Sequence, residues 1–318
     1  MGSDSLFGEV VMEKPMMNTA RRMTLAVVSV ALACAPAIAE IDLSGDWISY
    51  MHEDAMERGG GPFPVDYLGL PLNEEGRARA LLYSASQIAM VERQCLYYTS
   101  VYLTGGPFGF KIWADTEPIN GQTIALNISG TNDRAPIKIW MDGRPHPSKY
   151  AIHPIGGFAT GVWEGDVLKV YMTHMKAGYL RRNGAPTSDQ TTLTSHFIRH
   201  GDLLTVIAEI QDPVYLTEPI VVSRNYRLGA NPIRPFDTPC VPGEEATRRP
   251  DTVPHYLPGK NPFIDEVSKL YNLPVEAVLG GAETLYPAYR KKLKQTYVPP
   301  EKCRSNCGYG GFTTGSSQ

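Results

Sequence analysis

The sequence predicts a mainly β protein whose strands close into an antiparallel barrel. Apolar and polar residues alternate over several short segments, as in 123–129, where Ile124, Leu126 and Ile128 share one face. Turn residues such as those at 200–202 (His-Gly-Asp) separate neighbouring segments and suit tight hairpins. Because an open sheet of about eight strands leaves unpaired edges, we expect a closed barrel rather than a sandwich.

The same alternation predicts each strand in turn, and composition predicts the rest. The expected strands are 46–50, 108–113, 123–129, 137–141, 167–174, 192–199, 203–210 and 220–228. Helix-forming residues predict one short helix within 73–89. A proline-rich wrap then covers 232–261, a helical extension covers 262–297 with Asn261 as its cap and Pro262 at its first position, and a flexible tail covers 298–318. The barrel domain is expected over 40–231.

The N-terminal 39 residues carry the features of a secretory signal. Arg21 and Arg22 precede an apolar run over 23–35, and Ala37-Ile38-Ala39 is a small-x-small cleavage site. Residues 1–16 are then an upstream extension, and the mature protein is periplasmic or secreted. An uncleaved anchor and a lipoprotein modified at Cys34 are the alternatives, although the apolar run is shorter than the roughly 20 residues that span a bilayer.

The cysteines of the mature chain suit an oxidising compartment. They number four, and we expect the pairs Cys95–Cys240 and Cys303–Cys307. A zinc site is the weaker alternative, because the close pair has no histidine or second close pair beside it. Motifs for phosphate loops, dinucleotides, serine hydrolases and zinc helices do not occur in the sequence, so we predict no cofactor and no metal.

Four blocks between residues 142 and 219 suggest a family. They are Asp-Gly-Arg-Pro-His-Pro at 142–147, Trp-Glu-Gly-Asp at 163–166 followed by Leu168 and Val170, Ser-Asp at 188–189, and Asp-Pro at 212–213 followed by Tyr215 and Pro219. In this order they resemble a large family of exported bacterial proteins of unassigned activity, over about residues 95–228. The resemblance implies a lipocalin-like or calycin-like β architecture. Residues 172–184 depart from the family pattern, so the ligand or chemistry need not be shared.

Two histidines and one carboxylate are the candidate catalytic residues. His174 continues the apolar row of its strand, and His196 lies on the more polar face of another strand. If that face turns inward, His196 meets His174; if outward, it is solvated. Asp189 could fix the tautomer of either imidazole for general acid or base catalysis. The simpler alternative is that each histidine binds a loop backbone group.

Other polar residues are candidates for contact with a ligand. The loop at 142–147 presents Arg144 and His146, and His153 follows it. Lys176, Tyr179 and Arg181 lie in the segment that departs from the family pattern. The alternatives are a stiffened turn for the first group and a solvated loop for the second.

Three functions fit these features. The preferred one is a barrel that binds a small apolar or aromatic molecule in its cavity. The second is a cofactor-free lyase, isomerase or hydratase that uses histidine and aspartate, and the third is an envelope interaction protein. A net charge of −3 gives no support to nucleic acid as a partner, and after signal cleavage we expect no membrane span.

Overall fold

The fold is taken from a computed structural model that describes most of the chain. The described residues are 41–50, 65–84, 100–101, 109–130, 137–181, 183–233, 243 and 251–298. The predicted signal segment, the four cysteines that were predicted to pair, most of the proline-rich wrap and the tail after residue 298 lie outside these ranges.

Nine strands of the described chain form one closed barrel, which confirms the predicted fold class. Around the barrel the order is β1-β11-β10-β9-β6-β5-β4-β3-β2. Two short strands, β7 and β8, form a separate hairpin. The bounds are Gly45–Ser49 (β1), Phe110–Thr116 (β2), Thr123–Gly130 (β3), Ile137–Trp140 (β4), Phe158–Glu164 (β5), Val167–Thr173 (β6), Gly178–Tyr179 (β7), Pro186–Thr187 (β8), Thr192–His200 (β9), Leu203–Gln211 (β10) and Ile220–Leu228 (β11).

Short helices lie between β1 and β2 and after β11, as predicted. The helix Glu74–Leu81 (α1) is capped by Asn73, whose side-chain oxygen accepts a hydrogen bond from the Gly76 amide. The C-terminal helices are Glu266–Tyr271 (α2), Val275–Leu279 (α3) and Pro287–Thr296 (α4), with a 3₁₀ turn at Ala282–Leu285. The predicted start at Asn261 and Pro262 is four residues too early. Asn261 instead accepts from the Phe263 amide and donates to the Leu81 carbonyl, which ties it to the end of α1.

One barrel strand was missing from the prediction, and it changes the topology. No strand was predicted at β5, where Gly161 interrupts the pattern of apolar side chains. It pairs in parallel with β4, whereas every other pair in the barrel is antiparallel. A parallel pair needs a long connection, and residues 141–157 supply it. We call these residues the crossover loop.

The barrel interior is filled by side chains from the inward faces of the strands. On β10, for example, Leu204, Val206, Ala208 and Ile210 are buried and alternate with residues that contact solvent. These side chains belong to one hydrophobic core that includes residues of all nine strands. Arg224 is also buried on the inward face of β11.

Every helix within the described ranges is too short or too polar to cross a membrane.

Candidate functional site

Three of the predicted histidines come together where the crossover loop meets β6. His146 and His153 belong to the loop, and His174 follows the last residue of β6. The ring centroids of His153 and His174 are 5.0 Å apart. His146 lies over the outer face of the β5–β6 pair, with its ring centroid 5.0 Å from those of Phe158 and Tyr171. We call His146, His153 and His174 the histidine cluster.

A continuous chain of hydrogen bonds links two of these histidines. His146 Nε2 lies 2.9 Å from Thr160 Oγ1, and His146 Nδ1 lies 2.7 Å from Thr173 Oγ1. The same threonine oxygen lies 2.7 Å from His174 Nδ1. His174 Nε2 ends the chain at the Ser148 carbonyl oxygen, 2.9 Å away.

The carbonyl end of this chain determines where each proton lies when both rings are neutral. The Ser148 carbonyl only accepts, so His174 Nε2 must donate and its Nδ1 must accept from the Thr173 hydroxyl. That hydroxyl oxygen in turn accepts from His146 Nδ1, which leaves His146 Nε2 to accept from Thr160. Every ring nitrogen of these two histidines therefore has a partner.

The electrostatics of the cluster favour neutral imidazole. Burial, and then the proximity of His174, lower the pKa of His146 below its usual range. Two positive rings joined through one hydroxyl would repel each other, and Thr173 would have to accept from both. The lowered pKa therefore favours the neutral form of the His146 ring at neutral pH.

His174 also has an unusual backbone. Its φ is 57°, a left-handed conformation that only a few per cent of residues other than glycine adopt. The side chain is buried, with 9% of its surface exposed. Its two ring hydrogen bonds stabilise this conformation and redirect the chain after β6.

His153 differs from the other two histidines in having one ring nitrogen for which the described residues provide no partner. Its Nδ1 lies 3.0 Å from the Met175 carbonyl oxygen and donates to it. This fixes the tautomer and leaves the lone pair on Nε2. No group of three His, Cys, Asp or Glu side chains within the described ranges is arranged to bind a metal ion.

The other two candidate catalytic residues lie elsewhere. His196 is opposite Lys169 on β6 and faces outward, because its neighbours Ser195 and Phe197 are the buried ones. Lys169 is five residues before His174, or about 16 Å along a strand at about 3.3 Å per residue. Asp189 is exposed in the turn before β9, and no described contact joins it to a histidine. The structure therefore does not bring these two residues into the cluster.

The carboxylate that organises this end of the barrel is Asp212, which the sequence analysis did not select. It is 4% exposed and accepts five hydrogen bonds. They come from the Ser188 amide at 2.6 Å and hydroxyl at 3.0 Å, the Thr191 hydroxyl at 2.7 Å, and the Val214 and Tyr215 amides at 2.9 and 3.1 Å. Two of the sequence blocks, at 188–189 and 212–213, thus meet through this side chain. The signal that could have found it was the Asp-Pro pair at the end of a strand.

Two predicted ligand contacts, Arg144 and Tyr179, have side chains that contact the protein itself, and a third, Lys176, has an exposed side chain. The Arg144 guanidinium binds the Asp142 carboxylate through Nε and lies 3.4 Å from the centroid of the Trp140 ring. The Lys176 side chain is exposed, and its amide donates to the Pro154 carbonyl. The rings of Tyr179 and Tyr83 meet edge to face at 5.1 Å.

The last predicted ligand contact, Arg181, lines a groove outside the barrel. This groove has a volume of about 710 Å³. Its walls are residues 68–71, residues 218–222 at the start of β11, and the C-terminal helical segment from 273 to 293. We call it the C-terminal groove. Because these segments are far apart in sequence, no local pattern predicts it.

The C-terminal groove has a mainly apolar lining with polar groups at its rim. Leu70, Val222 and Leu273 are buried residues of its wall, whereas Val221 and Leu285 are 64% and 55% exposed. At the rim, the Tyr286 hydroxyl lies 3.3 Å from Glu218 Oε1 and donates to it. The charge of Glu218 raises the pKa of Tyr286, so that phenol stays a neutral donor.

No family model, curated protein or solved structure matches the chain. The function must therefore be argued from the groove and the histidine cluster themselves.

Proposed function

We propose that this protein binds a small, largely apolar molecule, and that the molecule occupies the C-terminal groove. The observation that carries the proposal is the size and lining of the groove. A volume of about 710 Å³ lies within the range of roughly 300–1,000 Å³ that small-molecule sites occupy. Such sites combine apolar walls with a few polar groups, as this one does.

The exposed apolar side chains at the groove support this choice. Val221 and Leu285 each leave more than half of their surface in water. A ligand that covered them would remove apolar surface from water, which is worth roughly 25 cal/mol per Å² before the costs of binding. Scattered exposed apolar residues need no explanation, but these two line one concave surface.

The groove is preferred to the barrel interior as the ligand site. Inward-facing residues of all nine strands already pack against one another in one core. A core packed in this way leaves few voids larger than a water molecule. The sequence-based expectation of a ligand inside the barrel therefore moves, in this proposal, to the outside of the barrel.

The location of the protein outside the cytoplasm is also part of the proposal. Its support is the signal pattern at 17–39, together with the even number of cysteines that follow it. The proposal also includes membership of the exported bacterial family, which the four sequence blocks support. N-terminal sequencing of protein recovered from a periplasmic extract checks the location: a mature chain that begins at Glu40 is expected, and a full-length chain in the cytoplasm would contradict it.

Ligand binding is tested by filling the groove from an exposed position. Val221→Trp places a large ring at the groove wall, on a strand that tolerates aromatic residues. We expect the full-length variant to bind the neutral fluorescent probe N-phenyl-1-naphthylamine at least tenfold more weakly than the wild-type protein does. Fluorescence titration measures the affinity.

The matched control is Val162→Trp. Val162 is also an exposed valine on a barrel strand, 55% exposed on β5, and it does not line the groove. Its substitution should leave the affinity for the probe unchanged. If the wild-type protein fails to bind the probe, or if the two variants lose affinity equally, the proposed site is wrong.

A further inference from the structure

The charged side chains of the C-terminal groove are unevenly balanced. Its lining contains two arginines, Arg181 and Arg290, and one carboxylate, Glu218. Glu218 already accepts a hydrogen bond from Tyr286. The lining therefore has an excess of one positive charge, in a chain whose net charge is −3.

The two arginines differ in their surroundings. Arg181 is 5% exposed, has interactions within the protein, and places a fixed positive charge beside an apolar wall. Arg290 lies on α4, where its side chain is exposed. A guanidinium carries five N–H donors in a planar fork that fits the two oxygens of a carboxylate or sulfonate. In the reduced dielectric of a groove, these charges act more strongly than they would in open water.

From this arrangement we infer that the C-terminal groove selects amphiphilic molecules with one anionic end. The apolar part packs on the wall that includes Leu70, Val222 and Leu273, and the anionic end lies toward Arg290, with Arg181 adding attraction from the wall. This inference rests on the proposed function, which requires only that something apolar binds. It adds a chemical class: an aromatic or aliphatic acid rather than a neutral hydrocarbon or an amine.

Nearby carboxylates limit the preference of the groove for an anion. Glu276 and Glu283 lie close enough to Tyr289, a lining residue, to help raise its pKa after burial has done so. Their charges oppose an incoming anion, although neither residue lines the groove. We therefore expect a preference for the anion of about five- to tenfold, or about 1 to 1.4 kcal/mol.

Two probes with the same aromatic skeleton separate the anionic end from the apolar body. N-phenyl-1-naphthylamine is neutral, and 8-anilinonaphthalene-1-sulfonate adds one sulfonate. Both are titrated against full-length wild-type protein and Arg290→Gln at low ionic strength. We expect the sulfonate to bind five- to tenfold more tightly than the neutral probe, and Arg290→Gln to abolish most of that difference without changing the affinity for the neutral probe.

The control for charge is Lys292→Gln on the same helix. Lys292 is exposed and lies two residues, or about 200°, around α4 from Arg290, outside the groove lining. Lys292→Gln removes the same charge as Arg290→Gln but outside the groove, so it should leave the preference for the sulfonate probe unchanged. Only fluorescence that Val221→Trp removes is counted as binding in the groove.

The outcomes distinguish the inference from the proposed function. Equal affinity for the two probes, or equal losses in the Arg290 and Lys292 variants, would overturn the anion preference while leaving the groove as a binding site. Fluorescence that Val221→Trp does not reduce, for either probe, would overturn the proposed function as well.

Discussion

Removing the Asp212 carboxylate should destabilise the barrel more than any exposed change nearby. Asp212→Ala leaves three backbone amides without their acceptor, those of Ser188, Val214 and Tyr215. A buried donor left unsatisfied costs about 1–3 kcal/mol. The Ser188 amide is buried and the Val214 and Tyr215 amides are partly buried, so we expect a loss of about 3–5 kcal/mol in total. The Ser188 and Thr191 hydroxyls are not included in this sum because they can rotate. The Thr191 hydroxyl, for example, can donate its one proton to the Ser188 carbonyl, 2.8 Å away, when Asp212 is absent.

The Asp212→Asn variant should lose less stability than Asp212→Ala. The amide oxygen can take over the contacts of Oδ1 with the Val214 and Tyr215 amides, but the amide nitrogen then faces the Ser188 amide, which is also a donor. One backbone hydrogen bond is therefore lost, at a cost of about 1–3 kcal/mol. The expected order of stability is wild type, then Asn, then Ala.

Urea denaturation followed by tryptophan fluorescence measures these differences. The control is Asp189→Ala, which removes the exposed carboxylate of the same turn and should change the free energy of unfolding by less than about 0.5 kcal/mol. If Asp212→Ala costs less than 1 kcal/mol or so, the five contacts do not have the importance assigned to them here. Equal effects at positions 189 and 212 would refute the argument from burial.

Two further predictions concern the histidine cluster and a glycine. Because the pKa of His146 is lower in the folded state, the unfolded chain takes up the proton first as the pH falls. The stabilisation by neutral His146 is therefore present above about pH 6.5 and is lost at lower pH. His146→Gln should flatten that part of a plot of unfolding free energy against pH. A plot with the same slope in both proteins would count against this role. Gly184→Ala should lower the free energy of unfolding by at least about 2 kcal/mol, because φ is +88° and a Cβ would collide with the Tyr83 side chain. Gly201 has φ +60° and open space around it, so Gly201→Ala should cost about 1 kcal/mol. Thermal denaturation measures both changes. Equal costs at the two glycines would show that the collision is relieved.

The strands could be predicted because each one has a buried face and a solvated face. The strand 220–228 was predicted with its observed bounds, and the bounds of the seven other predicted strands differ by three residues or fewer at either end. β5 could not be predicted in this way, since Gly161 at its centre carries no side chain to mark a face. Without β5, the parallel pair and the crossover loop could not be predicted either, and only consecutive hairpins were expected.

The candidate site was predictable in part, for a physical reason. His146, His153 and His174 were selected as chemically capable residues near strand ends, and the fold does bring them together. Asp189 was selected as a candidate and Asp212 was not. Burial decides which carboxylate organises a turn, and burial depends on tertiary packing. The C-terminal groove depends on three distant segments and has no local signal.

The geometry of the cluster also changes which histidine an acid–base hypothesis should rest on. A general base needs a lone pair that a substrate can reach. In His146 and His174 both ring nitrogens are already used, so either could accept a proton only by breaking the hydrogen bonds that fix the crossover loop. His153 keeps its Nε2 lone pair, oriented by the bond from Nδ1 to the Met175 carbonyl. Loss of activity in His174→Ala would therefore reflect lost structure, whereas His153→Gln tests chemistry at that position.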